Sequence, residues 1–197
     1  MKHYFSEYQD SELKLKKIKV ILRDRSFEFH TGSGVFSKDK VDKGSELLIN
    51  SCIVKKKWKI LDLGCGYGVV GIAIAKSFPT TEIVMVDVNK RAVKLARMNL
   101  KLNKVDNVKV LDSDLFEKMN QKFNTIIVNP PQKAGKEICF KIIEESKDYL
   151  EKGGLLQLVA RHNKGGKTLE QKMKGVFGNV KEMAKKGGYR VYISRKK

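Results

Sequence analysis

Three residues past the middle of the chain have the types and spacing to work on an amine: Asn129, Pro130 and Pro131. They follow the apolar run Phe123 to Val128 and stand where it ends. Two successive prolines restrict φ and remove two backbone donors. The carbonyls beside them are then free to face a cleft. The amine of an aromatic base is a poor nucleophile, because its lone pair is delocalised into the ring. The Asn129 side-chain oxygen and the Pro130 carbonyl could accept both of its N–H bonds. That would orient the lone pair and stabilise positive charge growing on nitrogen. No strong base is needed if the leaving group is a sulfonium. The plain alternative for the same three residues is a strand-terminating turn.

A second constellation could hold a cofactor. Leu61-Asp62-Leu63-Gly64-Cys65-Gly66-Tyr67-Gly68 joins an apolar strand run to a helix. Glycines let the chain turn tightly and let a ligand approach the backbone. Gly66, Gly68 and Gly71 also satisfy the dinucleotide fingerprint, which seats a pyrophosphate on a helix N-terminus. Asp62 tilts the choice, since a carboxylate there repels a pyrophosphate and suits a cationic amino-acid moiety such as that of S-adenosylmethionine. Asp87 ends the next strand run, and Val88 follows it. An acid there can accept from both ribose hydroxyls, in either cofactor. In Asp112-Ser113-Asp114-Leu115-Phe116, Asp114 could accept from an adenine amino group while Leu115 covers the ring. As plain alternatives, Asp62 is a loop acid, Asp87 an N-cap and Asp114 a turn residue.

These residues need a scaffold, and the chain supplies one by alternation. Apolar strand runs at 58–63, 82–88, 108–111, 123–129 and 155–160 alternate with helical patterns at 69–78, 90–103, 136–150 and 168–177. Segments 180–184 and 189–194 close the chain as a hairpin about Lys186-Gly187-Gly188. The pattern predicts an α/β, Rossmann-like fold: a mostly parallel seven-stranded sheet with helices on both faces. Such sheets bind ligands beyond the carboxyl ends of their strands. Upstream, Ile18 to Leu22 and Ser26 to His30 flank Arg23-Asp24-Arg25 as a short β-hairpin. A helix is expected over 41–54. Residues 1–30 therefore read as an appendage and 31–197 as the catalytic domain.

The chain of 197 residues suits one such domain. Its net charge of +19 points to a polyanionic partner. Residues 132–197 carry 17 basic and 7 acidic side chains, the largest local excess. A lysine-rich, solvated surface is the competing explanation. No run is apolar enough to cross a bilayer, and Met1 to Glu7 lacks the apolar stretch of a signal peptide. A cytoplasmic protein that is not membrane-bound is expected. Cys52, Cys65 and Cys139 are far apart, and with the three histidines they form no metal-ligand spacing. One core uses the aliphatic positions, so a monomer is the default.

At this point the sequence resembles the small-methyltransferase superfamily, within which lie the ribosomal RNA small subunit methyltransferase C enzymes that modify guanine N2. It is also similar to an archaeal single-domain branch. The resemblance rests on Gly34-Val35-Phe36-Ser37, Asp42-Lys43-Gly44-Ser45-Glu46-Leu47-Leu48, the glycine stretch, Asp87-Val88-Asn89, Asn129-Pro130-Pro131 and Gly188-Tyr189-Arg190-Val191-Tyr192. It implies a class I S-adenosylmethionine-dependent N-methyltransferase acting on an exocyclic amine of RNA, with guanine N2 in ribosomal RNA as the target. A protein glutamine-amide N-methyltransferase and a transfer RNA base methyltransferase are the alternatives. It also implies that Phe36, Ser37 and Asp42 lie near the cofactor or close over it. Phe36 has a second reading as a core aromatic and Asp42 as a helix-start acid. Many members carry an aromatic after Asn-Pro-Pro that stacks on the base, whereas this chain has Gln132. It also has no room for the second, N-terminal domain of the bacterial guanine enzymes. Substrate recognition is then expected from the hairpin, a partner, or the basic C-terminal third, with Gln132, Lys133, Arg161, His162 and Arg190 on the substrate side.

Overall fold

The computed structural model describes residues 6–197. Met1 to Phe5, the start of the stretch expected to lack a signal peptide, lie outside the described residues. The alternation becomes a seven-stranded sheet. Its strands are β3 (Lys59–Leu63), β4 (Glu82–Asp87), β5 (Val108–Asp112), β6 (Phe123–Val128), β7 (Leu150–Arg161), β8 (Lys181–Lys186) and β9 (Tyr189–Arg195), in spatial order β5-β4-β3-β6-β7-β9-β8. The first five run parallel, and β9 inserts antiparallel between β7 and β8. The order reverses between β3 and β6, so a crevice opens beyond their carboxyl ends.

Successive residues of the central strands are buried alternately in two cores. Ile60, Met85, Ile127 and Val159 face one core, and Leu61, Val86, Ile126 and Leu158 the other. A sheet buried on both faces needs this near-continuous apolar character. Helices α1 (Lys43–Ser51), α2 (Val69–Ser77) and α3 (Lys90–Asn103) cover the first face. Helices α4 (Lys136–Tyr149) and α5 (Lys167–Phe177) cover the second. No helix among the described residues is long and apolar enough to cross a membrane.

The N-terminal hairpin pairs β1 (Leu15–Leu22) with β2 (Arg25–Gly32) as a separate two-stranded sheet. Phe27 and Phe29 of β2 are buried in the core beneath α2 and α3. The outer edge of β2 lacks a strand neighbour, and two buried asparagines of α3 take that place. Asn99 accepts from His30 N at 2.6 Å and donates to His30 O at 2.8 Å and to Tyr67 O at 2.9 Å. Asn103 repeats the pairing one step along, donating to Glu28 O at 2.7 Å. Arg23, in the hairpin turn, donates to Ile49 O and Cys52 O at the end of α1. It thereby satisfies carbonyls that the helix leaves unpaired.

Helix α1 is shorter than the 41–54 pattern. Asp42 caps it rather than joining it. It stops at Ser51 because Gln157 of β7 takes both backbone groups of Ile53, at 2.8 and 2.7 Å. Strand β7 is longer than expected, starting at Leu150 with a register shift between Phe123 and Thr125 of its partner.

Replacing Asn99 by alanine orphans three backbone groups, the buried Tyr67 carbonyl and both groups of half-buried His30. Asn99→Ala should lower unfolding free energy by about 3 kcal/mol in urea melts and speed amide exchange at His30. A loss within experimental error of zero would mean that the hairpin is held by its phenylalanines alone.

Candidate active site

The carboxyl ends of β3, β4 and β6 enclose a cavity of about 310 Å³, within the range of small-molecule sites. Asp62, Asp87, Asp114 and Asp42 line it together with Asn129, Pro130 and Pro131. Phe36, Gly64, Cys65, Gly66, Val88 and Leu115 complete the set that sequence placed there. Gly68 is the exception. It caps α2, and a Cβ on it would press on Ile72 and Ala96 rather than enter the cavity.

The glycine loop wraps the end of β4. Gly64 and Cys65 both donate to Val86 O at 2.9 Å. Gly64 and Gly66 have φ of +73° and +56°, and a Cβ on either would meet nothing within 4 Å. Their conformation demands glycine, and the bare backbone leaves room beside it. Asp87 holds this loop: one oxygen accepts from Gly66 N and the other from Asn89 N, each at 2.8 Å. Asp62 accepts from Gly71 N at 2.8 Å, so it braces the start of α2. Across the cavity, Ser113 ties the loop after β5, accepting from Lys118 N and donating to Leu115 O. Leu115 and Ser37 both hold left-handed backbone, at φ of +44° and +56°. Such strain is common beside ligand sites.

The electrostatics of the cavity are one-sided. Among the described lining residues none is Lys, Arg or His. Burial pushes the Asp62 carboxyl up to about 7, with the Asp87 charge adding and the Gly71 N–H opposing. Burial likewise raises Asp87 to about 6 against two backbone N–H donors. Burial and both carboxylates push the Cys65 thiol far up, so it stays a thiol. A pyrophosphate would meet carboxylates here. A cation that also presents hydroxyl donors would relieve them, and these residues therefore suit S-adenosylmethionine.

Asn129, just past β6, donates from its amide nitrogen to Ser45 Oγ at 2.9 Å and Asp42 Oδ2 at 3.3 Å. The remaining expected substrate residues lie outside the cavity. Gln132 spans the gap from the turn after Pro131 to the end of β7, donating to Lys164 O and accepting from Arg161 N, each at 3.0 Å. Arg190 pairs with Glu182, and His162 Nδ1 meets Tyr192 Oη at 2.7 Å. Lys133 and Arg161 are exposed, with the Arg161 guanidinium 5.1 Å above the Tyr189 ring. Sequence reasoning assigned no role to Ser45, Asn89, Ser113 or Tyr189. Ser45 carries a local signal, three residues after the acid at a helix start. Tyr189 lies in one of the stretches that carry the resemblance, but its partner could not be read there, because 147 residues separate it from Asp42, to which it donates.

Cation binding needs Asp62 and Asp87 ionised, and both titrate high. Affinity for S-adenosylmethionine should therefore fall about tenfold or more from pH 8 to pH 5.5, with protons released on binding near pH 6.5. In the free protein, ionised Asp62 is a burden at pH 8. Asp62→Asn should accordingly raise the melting temperature there while weakening the cofactor. Calorimetry showing a flat pH profile would exclude these carboxylates as the cation's partners.

A family model described as Methyltransferase small domain matches residues 26–193. The chain is 39% identical to Uncharacterized protein YbxB of Bacillus subtilis over 98% of both chains. It is 32% identical to the Ribosomal RNA small subunit methyltransferase C of Haemophilus influenzae, over 98% of this chain and 55% of that one. It thus spans about half the length of the latter relative. Among solved structures it resembles the T. thermophilus 16S rRNA N2 methyltransferase (RsmC) in complex with AdoMet and guanosine. That match has a TM-score of 0.80 at 24% identity, over 95% of this chain and 52% of that one; at this identity the likeness speaks for the fold. With the family model covering most of its length and this geometry at the sheet's switch point, the chain belongs to the methyltransferase small domain family.

Proposed function

We propose that the protein is an S-adenosylmethionine-dependent methyltransferase that methylates an exocyclic amine of RNA, with guanine N2 of small-subunit ribosomal RNA as its target. One observation carries the reading. Asn129 and the two prolines stand at a cavity lined by four aspartates and no basic side chain among the described residues, in a chain of net charge +19. The inside favours a cation and the outside a polyanion.

When bound, S-adenosylmethionine supplies a methyl group on a sulfonium, a leaving group good enough that the acceptor needs no strong base. Asp62 and Asp87 would hold the cation and its hydroxyls, and the glycine loop would approach it without side chains. Asn129 Oδ1 and the Pro130 carbonyl, which also accepts from Gln132 N at 2.8 Å, would accept the two N–H bonds of the amine and orient its lone pair. The proton the nitrogen must lose on methylation would pass to solvent. Exposed Lys133, Lys136, Arg161, Lys164 and Lys167 offer phosphate contacts that set affinity rather than sequence choice. The names of the ribosomal RNA relatives support the choice of RNA, and such a substrate implies a cytoplasmic protein.

The test is transfer of a tritiated methyl group to undermethylated small ribosomal subunits, free ribosomal RNA, transfer RNA and protein, followed by nucleoside analysis. Label in N2-methylguanosine is the expected result. Label confined to protein would replace RNA with a glutamine amide. Asn129→Ala should lower transfer at least about 100-fold, by loss of an oriented acceptor in the transition state, and leave cofactor affinity within a few-fold. Unchanged turnover would remove Asn129 from the chemistry.

A further inference from the structure

The stretch Asp42-Lys43-Gly44-Ser45 has no part in the chemistry described so far, yet its side chains converge on Asn129. Asp42 caps α1, its Oδ2 accepting from Gly44 N at 2.8 Å and Ser45 N at 3.1 Å. The same oxygen accepts from Asn129 Nδ2 at 3.3 Å, and Ser45 Oγ accepts from it at 2.9 Å. Tyr189, at the start of β9, donates its hydroxyl to Asp42 Oδ1 at 3.2 Å. Its ring lies so close to Gly44 that an added Cβ would stand 2.8 Å from two ring carbons. Glycine at position 44 thus lets the tyrosine reach the capping carboxylate.

An asparagine amide is nearly symmetric in shape, and rotation by a half turn exchanges its oxygen for its NH2. At a site for amines, that exchange decides everything. The oxygen accepts from an N–H, whereas the NH2 would repel it and select a carbonyl instead. A carboxylate offers only acceptors. The amide must therefore turn its NH2 toward Asp42 and Ser45, which leaves Oδ1 as the end available to a substrate. The flipped amide would set its oxygen against the Asp42 carboxylate and lose that hydrogen bond, keeping only a bond donated by the Ser45 hydroxyl, so the carboxylate decides the orientation.

We propose that Asp42 and Ser45 are positioning residues that lock the Asn129 amide with its oxygen toward the acceptor amine, and that Tyr189 holds Asp42 in place to do so. The lock makes the site selective for a group that donates two N–H bonds. It rests on the reading of Asn129 as the amine's acceptor, although the orientation itself can be observed without turnover.

Two readouts test it. In 15N-asparagine-labelled protein, the Asn129 side-chain NH2 (assigned by its loss in Asn129→Asp) should exchange with water at least about tenfold more slowly than that of exposed Asn163, as for a doubly hydrogen-bonded amide. Ser45→Ala and Asp42→Gly should each remove most of that protection, the second by deleting the oxygen that accepts from Asn129. Glycine is itself tolerated as a helix cap, so Asp42→Gly should melt near the wild-type temperature. In methyl transfer to RNA, both variants should lose about tenfold or more in kcat with the cofactor Kd within about twofold, and Tyr189→Phe should lose less, as the loss of an oriented acceptor predicts. An unprotected Asn129 amide in the wild type, or kcat unchanged in both variants, would overturn the lock. Wild-type protein that keeps the protected amide but methylates no RNA amine would sink the functional reading and leave the lock standing.

Discussion

Two carboxylates on one cavity, Asp62 buried and Asp87 half-buried, are the constraint around which this molecule is arranged. Asp62 and Asp87 reach it from adjacent parallel strands, and no basic side chain among the described lining residues neutralises them. Burial raises their carboxyls to about 7 and about 6 even though the backbone N–H groups of Gly66, Gly71 and Asn89 pull them down. Keeping both ionised at pH 8 therefore lowers the stability of the free protein. The strands beneath them, buried on both faces, carry that load, and a bound cation would relieve it.

A second theme is the side-chain amide as a substitute strand. Asn99 and Asn103 pair with the outer edge of β2, and Gln157 pairs with Ile53 after α1. Asn89 caps α3 with its oxygen and reaches Gly34 O with its nitrogen. An amide carries a donor and an acceptor side by side, as a peptide group does. It can therefore satisfy a buried segment that has no strand neighbour. These bonds bring the Phe36 loop and α1 over the cavity. Asn129 differs from the other amides in one respect: its nitrogen is spent on the scaffold, and in the proposed reading its oxygen is the end left for the amine.

The charge of the chain is sorted by depth. Acids line the cavity, and the excess of lysine and arginine lies outside it, much of it after residue 131. Counterion release makes such a surface effective against a polyanion and indifferent to its sequence. Gln132, just after the two prolines, ties the turn it sits in to Arg161 at the end of β7 and to Lys164 just past it.

The order of strands and helices, both core faces, and the place of Asp62, Asp87, Asp114 and Asn129-Pro130-Pro131 at strand ends were legible in the residues. Each is a local property: periodicity sets the element, and chemistry at its end marks the site. The late hairpin about Gly187-Gly188 was legible for the same reason. Other features depended on contacts between distant segments. Gly68 looked like part of the cofactor loop, but its neighbours Ile72 and Ala96 make it a packing position. Gln132 was expected on the substrate side; its bonds to Arg161, at the end of β7, and to Lys164, just after it, could not be read from the chain. The meeting of Asp42, Ser45, Asn129 and Tyr189 required α1 to pack across β7 and β9, with β6 on the other side of β7. A hydrogen bond between residues far apart in sequence leaves no periodicity in the chain. It exists only once the sheet order brings its partners within reach.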